Sequence, residues 1–142
     1  MVASHEELRS LQEALLKAVL LGHRLPGGLA RVSLPDLEFV TAGDTIQLMD
    51  ENLYGPLMIE GAKKPFRVVG RGELQATSGD KPALAFLKFQ STEINQDSVK
   101  MALEARTLPA AAGPEMGLSS IRIEFKKIGD AWIAQAPILG AM

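Results

Sequence analysis

The chain contains two imidazoles, His5 near its start and His23 further along. Imidazole is the side chain best suited to general-base or metal-ligand work near neutral pH. Neither histidine has the spacing of a metal site, and no carboxylate cluster matches them. A residue near a chain end and a cation at a helix terminus account for both. Asp44, Asp50, Glu51 and Tyr54 crowd a second region. Two acids and a phenol at a cavity mouth could bind or polarise a ligand. The same acids suit turn chemistry, with Asp44 opening a strand and Asp50-Glu51-Asn52 closing it. Tyr54 precedes Gly55-Pro56, so its ring either closes a pocket or plugs the end of the core.

Lys63-Lys64-Pro65-Phe66-Arg67, with Arg71, forms a small basic patch holding one aromatic. Nucleic-acid binding asks for more cations and interleaved aromatics, so a solvated turn is the expectation and no nucleic-acid partner is expected. Gly70-Arg71-Gly72 lacks the third glycine and the lysine of a phosphate loop. There is no Gly-x-Ser-x-Gly elbow, and Ser98, Ser119 and Ser120 have no histidine beside them. Trp132 with Met49, Met58, Met101 and Met116 either lines a cavity or fills a core. No catalytic, metal-binding or nucleotide-binding pattern results. No cofactor and no metal are expected, and the catalytic residues, if any, stay unknown.

The elements that must position these residues fit one domain, residues 1–142. A net charge of −2 provides no global field to draw in nucleic acid or an anionic membrane. With 0 Cys there are no disulfides, no thiolate zinc site and no thiol nucleophile. The start has no basic region, and the apolar run Ala14 to Leu21 is short and holds Lys17. Neither a signal peptide nor a membrane span is expected, which makes a cytoplasmic location the default.

In chain order, Ser4 to Leu21 reads as a helix, with Ser4 and Glu7 as a capping box, Leu8, Leu11, Leu15 and Val19 as its stripe, and Gly22 as its left-handed cap. Pro26-Gly27-Gly28 is a loop. Val32, Leu34, Leu37 and Phe39 suggest an extended segment bent at Pro35, and Ala42-Gly43-Asp44 a turn. Thr45 to Met49 and Phe66 to Val69 are short strands. A short second helix fits 72–78, ended by Gly79-Asp80 and Pro82. Ala83 to Ile94 is apolar on both parities and so is placed centrally in a sheet. Val99, Met101, Leu103 and Ala105 alternate with Lys100, Glu104 and Arg106, the clearest half-buried strand. Leu108 to Leu118 reads as a long mobile loop. Ile121, Ile123 and Phe125 alternate with Arg122, Glu124 and Lys126. Gly129-Asp130 makes a tight turn into a last strand, Ala131 to Ala136, and the apolar tail Ile138-Leu139 should dock. One register sets Arg106 against Glu124 and Glu104 against Lys126, each pair worth roughly 0.2–1 kcal/mol, where the neighbouring register would oppose Glu104 to Glu124.

A long N-terminal helix followed by a sheet ending in consecutive strands, Ser98 to Thr107, Ser120 to Lys127 and Ala131 to Ala136, resembles the cystatin-like α+β layout. The nuclear-transport-factor and ketosteroid-isomerase-like superfamily shares that layout. The resemblance implies a sheet wrapped round the helix, a conical cavity and, in many members, dimerisation through the sheet. Members usually have two or three helices before the first strand, where this chain shows one. The Tyr and Asp pair of the isomerases has no mapped counterpart here. Phe66-Arg67-Val68-Val69-Gly70 keeps the Val and Gly of the cystatin Gln-x-Val-x-Gly hairpin but lacks its Gln.

The expected fold is α+β, an N-terminal helix packed on a curved, mainly antiparallel sheet of five to six strands. Three functional readings follow. The first is a small soluble binding or interaction module, a homodimer through its sheet if a second copy covers the other face of Leu84 to Phe89. The second is a binder of a small apolar ligand in a cone-shaped cavity lined by Leu15, Met101, Phe125 and Trp132. The third is an isomerase or hydratase using Tyr54 with Asp44 or Asp50.

Overall fold

Helix α1, His5–Leu21, begins where its sequence can cap it. The Ser4 hydroxyl accepts from the Glu7 N–H at 3.1 Å, and the Glu7 carboxylate accepts from the Ser4 N–H at 3.2 Å, a reciprocal capping box. Gly22 closes the helix at φ 74, its N–H on the Ala18 carbonyl at 3.1 Å and the His23 N–H on the Lys17 carbonyl at 3.4 Å, a conformation glycine adopts without a Cβ clash. On the outer side Glu13 pairs with Lys17 at 3.0 Å and with Arg9 at 3.3 Å.

In this computed structural model the structure describes residues 3–27, 32, 34, 37–42, 45–62, 64–78, 83–109, 116–135 and 138–141. The other elements are α2 (Leu37–Val40), α3 (Arg71–Ser78), β1 (Ile46–Met49), β2 (Phe66–Val69), β3 (Ala83–Phe89), β4 (Glu93–Ile94), β5 (Ser98–Pro109), β6 (Met116–Ile128), β7 (Ala131–Ala134) and β8 (Ile138–Ala141). The fold is α+β: α1 lies on one curved sheet of order β2-β1-β3-β5-β6-β7, with β4 added beside β5 and β8 beside β6. Among the described residues no helix is long and apolar enough to cross a membrane.

The sheet is mixed rather than mainly antiparallel in its first half, because β1 runs parallel to both β2 and β3. Strands that share a direction need a crossover. Helix α3 supplies it between β2 and β3, and strands of four residues give no sequence signal of their direction. Residues Leu37–Val40 form a short helix rather than part of an extended segment, with the Leu37 N–H bonded to the Leu34 carbonyl at 3.1 Å. Pro35-Asp36 just before it are helix-start residue types. Gly43 of the expected turn, Gly79 to Pro82 after α3, and Lys63 of the basic patch lie outside the described residues.

Helix α3 also answers what covers the second face of β3. Leu74 packs with Met49, Val69, Leu84, Phe86 and Leu108 in a small second core. The main core lies between α1 and the other face, where Leu8, Leu15 and Leu16 meet Leu87, Phe89, Met101, Leu103, Ile123 and Phe125.

The hairpin β5–β6 is the longest in the sheet. Its strands run to Pro109 and from Met116, so the expected loop Leu108 to Leu118 shrinks to a connection at 110–115, outside the described residues. The register shifts accordingly: Glu124 faces Lys100 and Lys126 faces Ser98, six residues from the expected pairing, while Glu104 faces Ser120. An even shift leaves every side chain on its face, so alternation alone could not choose the register; loop length did. The tail docks as β8, which with β7 forms one interrupted strand along β6. On the other side of β7 the Pro26 carbonyl accepts from the Ala134 N–H at 3.0 Å. Gly27 sits there at φ 95, and a Cβ on it would stand 2.5 Å from Ile133 Cγ2.

Two polar links tie α1 to the sheet. Gln12 is wholly buried. Its Nε2 donates to the Asn52 carbonyl at 2.9 Å and its Oε1 accepts from the Tyr54 N–H at 3.2 Å. Asn52, held at φ 63, in turn donates from Nδ2 to the Phe89 carbonyl at 2.9 Å. The second link is Trp132, whose Nε1 donates to Glu7 Oε2 at 2.6 Å. Lys127 Nζ lies 4.0 Å from that carboxylate and 5.7 Å from the Trp132 ring centroid. The Trp132 hydrogen bond, then the Ser4 N–H, holds the Glu7 carboxyl below its ordinary range.

Two tests follow from these links. Replacing Gln12 with Leu removes the partner of the Asn52 carbonyl and of the Tyr54 N–H, and should cost roughly 1–3 kcal/mol in urea unfolding; a variant as stable as the parent would show the bridge to be dispensable. Because the folded Glu7 pKa is depressed, its contribution is complete above the unfolded glutamate pKa of about 4.3 and is lost as pH falls through the lower folded value. The drop in urea midpoint on acidification below that pH should therefore be smaller in Glu7→Gln than in the parent, and equal drops would exclude this carboxylate as a contributor.

Candidate functional site

Strand geometry sends alternate side chains to opposite faces. In β5, Val99, Met101, Leu103 and Ala105 enter the α1 core, which turns Lys100, Ala102 and Glu104 to the other face. In β6, Ile121, Ile123 and Phe125 enter the core and Arg122 and Glu124 turn away. That outer face divides in two. The part over β1, β3 and the end of β5 is covered by α3. The part over the β5–β6 hairpin leaves Lys100 and Arg122 exposed, and a pocket of about 550 Å³ opens there.

The pocket exists because both strands flanking the hairpin break at the same level. Between Phe89, opposite Leu103, and Glu93, opposite Lys100, three residues stand against two of β5. On the other side, the pairing along β6 is interrupted between Ala134, opposite Phe125, and Ile138, opposite Arg122. The first break is a bulge with one extra residue, the device that bends a strand and re-aims its side chains. The first stays tied down by the Gln90 N–H on the Ala102 carbonyl at 3.0 Å, the second by the Gln135 N–H on the Glu124 carbonyl at 2.8 Å. Gln90, Ser91 and Glu93 make one wall of a saddle, and Gln135 belongs to the opposite one.

Ala102 is the floor. It pairs with Arg122 across the hairpin and lies between Lys100 and Glu104 along β5. A single methyl among long polar side chains leaves a pit. Beside the pit Glu104 is only 4% exposed. Its carboxylate accepts from Gln90 Nε2 and from the Arg106 guanidinium. A buried carboxylate persists only when paired and hydrogen-bonded in this way. Lys88 faces Glu104 from β3, with its Nζ 3.4 Å from Glu51, and Glu51 also holds Arg71 at 3.1 Å. Charges of alternating sign thus run across the sheet from Arg71 through Glu51, Lys88 and Glu104 to Arg106.

The pocket's remaining ionisable side chains are Glu93, Lys100, Arg122 and Glu124. Among the described residues none of them holds an ion pair. Lys100 nevertheless sits opposite both Glu93 and Glu124. The lining offers charge and hydrogen-bond recognition and includes no histidine. Among the described residues no three histidine or carboxylate groups are placed to hold a metal ion.

The residues singled out from the sequence lie elsewhere. Met101, Phe125 and Trp132 come together on the α1 side, 2%, 0% and 9% exposed, within the same packed cluster as Leu15. Met101 also borders the saddle, from beneath it. Tyr54 stands edge-on to His5, with ring centroids 5.5 Å apart at 80°. Asp50 follows β1, its N–H on the Val69 carbonyl at 2.9 Å and its carboxylate near Gly70. Among the described residues Tyr54 and Asp50 share no hydrogen bond or ring contact, and Asp44 lies outside those residues. A smaller depression of about 310 Å³ borders Trp132, Ser4 and Glu7 at the start of α1, where Glu7 is already engaged by Trp132 and Ser4.

Sequence reading missed Gln90, Glu93, Ala102 and Gln135 and took Lys100, Arg122 and Glu124 for a solvated face. Two signals pointed to the saddle: the polar run Gln90-Ser91-Thr92 inside an otherwise apolar strand, and a lone alanine among outward charges. Compared with family models, curated proteins and solved structures, the chain matches none.

Proposed function

We propose that the chain is a binding domain whose ligand site is the saddle on the sheet face opposite α1. The observation that carries this reading is the pocket over Ala102, which opens beside the bulge between β3 and β4 and among Glu93, Lys100, Arg122 and Glu124, none of which holds an ion pair among the described residues. Bulges cost ladder hydrogen bonds, and this one places that cost where polar groups converge.

The other readings draw less support. A second copy was invoked to cover the apolar second face of β3, and α3 already covers it. An apolar ligand between helix and sheet would have to displace Met101 and Phe125 from a packed cluster. An isomerase-type site needs Tyr54 and Asp50 to converge, and among the described residues no hydrogen bond or ring contact joins them. A helix on a curved sheet is compatible with the cystatin-like layout, but a fold carries many functions and the site must argue its own.

The test fills the pit. In a screen of small polar compounds followed by amide chemical shifts, ligands should move Gln90, Lys100, Ala102, Arg122, Glu124 and Gln135. Ala102→Phe occupies the pocket without removing a polar group, and should weaken binding more than tenfold while the melting temperature stays within a few degrees. Ligands that instead move Met101, Phe125 and Trp132 and bind Ala102→Phe unchanged would place the site between helix and sheet.

A further inference from the structure

We draw no further inference here: the strongest candidate, the charged outer face of the β5–β6 hairpin around Ala102, belongs to the site already described, and its mixed charges, with Lys100 between Glu93 and Glu124 and Arg122 beside Glu124 on one strand, select no class of ligand.

Discussion

A hydrogen-bonded bridge from Gln12 to Asn52 to Phe89 ties α1 to the strand that borders the saddle. Asn52 occupies a left-handed conformation, uncommon for a residue with a side chain, though asparagine tolerates it better than most. The turn it makes after β1 points its carbonyl at Gln12 and its amide at Phe89. Phe89 is where β3 leaves regular pairing with β5. Asn52 engages its carbonyl, and the Gln90 N–H that follows bonds the Ala102 carbonyl as the bulge begins. Gln90 then turns its side chain onto Glu104. A buried glutamine on α1 is thereby coupled, through three hydrogen bonds, to the acid beside the pit on the far face of the sheet.

Covering one half of the outer face is what confines the site to the other half. The parallel β1, placed between β2 and β3, obliges the chain to cross over, and α3 in crossing lays Leu74 on Phe86 and its neighbours. The sheet thus has core on both faces at β3 and on one face only at the β5–β6 hairpin. Where the second layer stops, charges begin: Glu51, Lys88, Glu104 and Arg106 line the boundary. A buried pair such as Glu104–Arg106 is a weak source of stability, since desolvation offsets much of its attraction. Its geometric effect is firmer, because a carboxylate held between Arg106 and Gln90 fixes the bulge relative to β5.

How much of this could be read from the residues varied with the range of the interaction. The capping box at Ser4 and Glu7, the Gly22 stop, the face of α1, the short helix expected at 72–78 and found at Arg71–Ser78, and the strand faces of Val99 to Ala105 all follow from neighbours in sequence, and these agree with the structure. The register of β5 on β6 did not follow, because an even slip preserves the alternation and the loop between them gave no sharp signal. The parallel direction of β1 did not follow either. The burial of Glu104 was hidden by its place in an alternating strand, where it looked like Lys100. What buries it is Gln90 from the neighbouring strand and Arg106 two residues on. The bulge after β3 was partly visible as the polar run Gln90-Ser91-Thr92, but its place beside Ala102 and Arg122 is a property of the register alone.

That dependence on register sets the saddle apart from the residues richest in chemical promise. Tyr54, Asp50 and His5 are reactive types near one another in sequence or in space, yet each is committed locally: Tyr54 to Gln12 and the His5 ring, Asp50 to the end of β1. Met101, Phe125 and Trp132 are committed to the core. The groups with no such commitment are ordinary surface charges, Lys100, Arg122, Glu93 and Glu124. The proposed site forms from them because the strand beside β5 bulges opposite a residue with almost no side chain. A shift of β6 by two residues along β5 would keep the alternation of both strands and yet move Arg122 away from Ala102. The proposed saddle is therefore set by the register of the central hairpin, a choice that alternation along the strands leaves open.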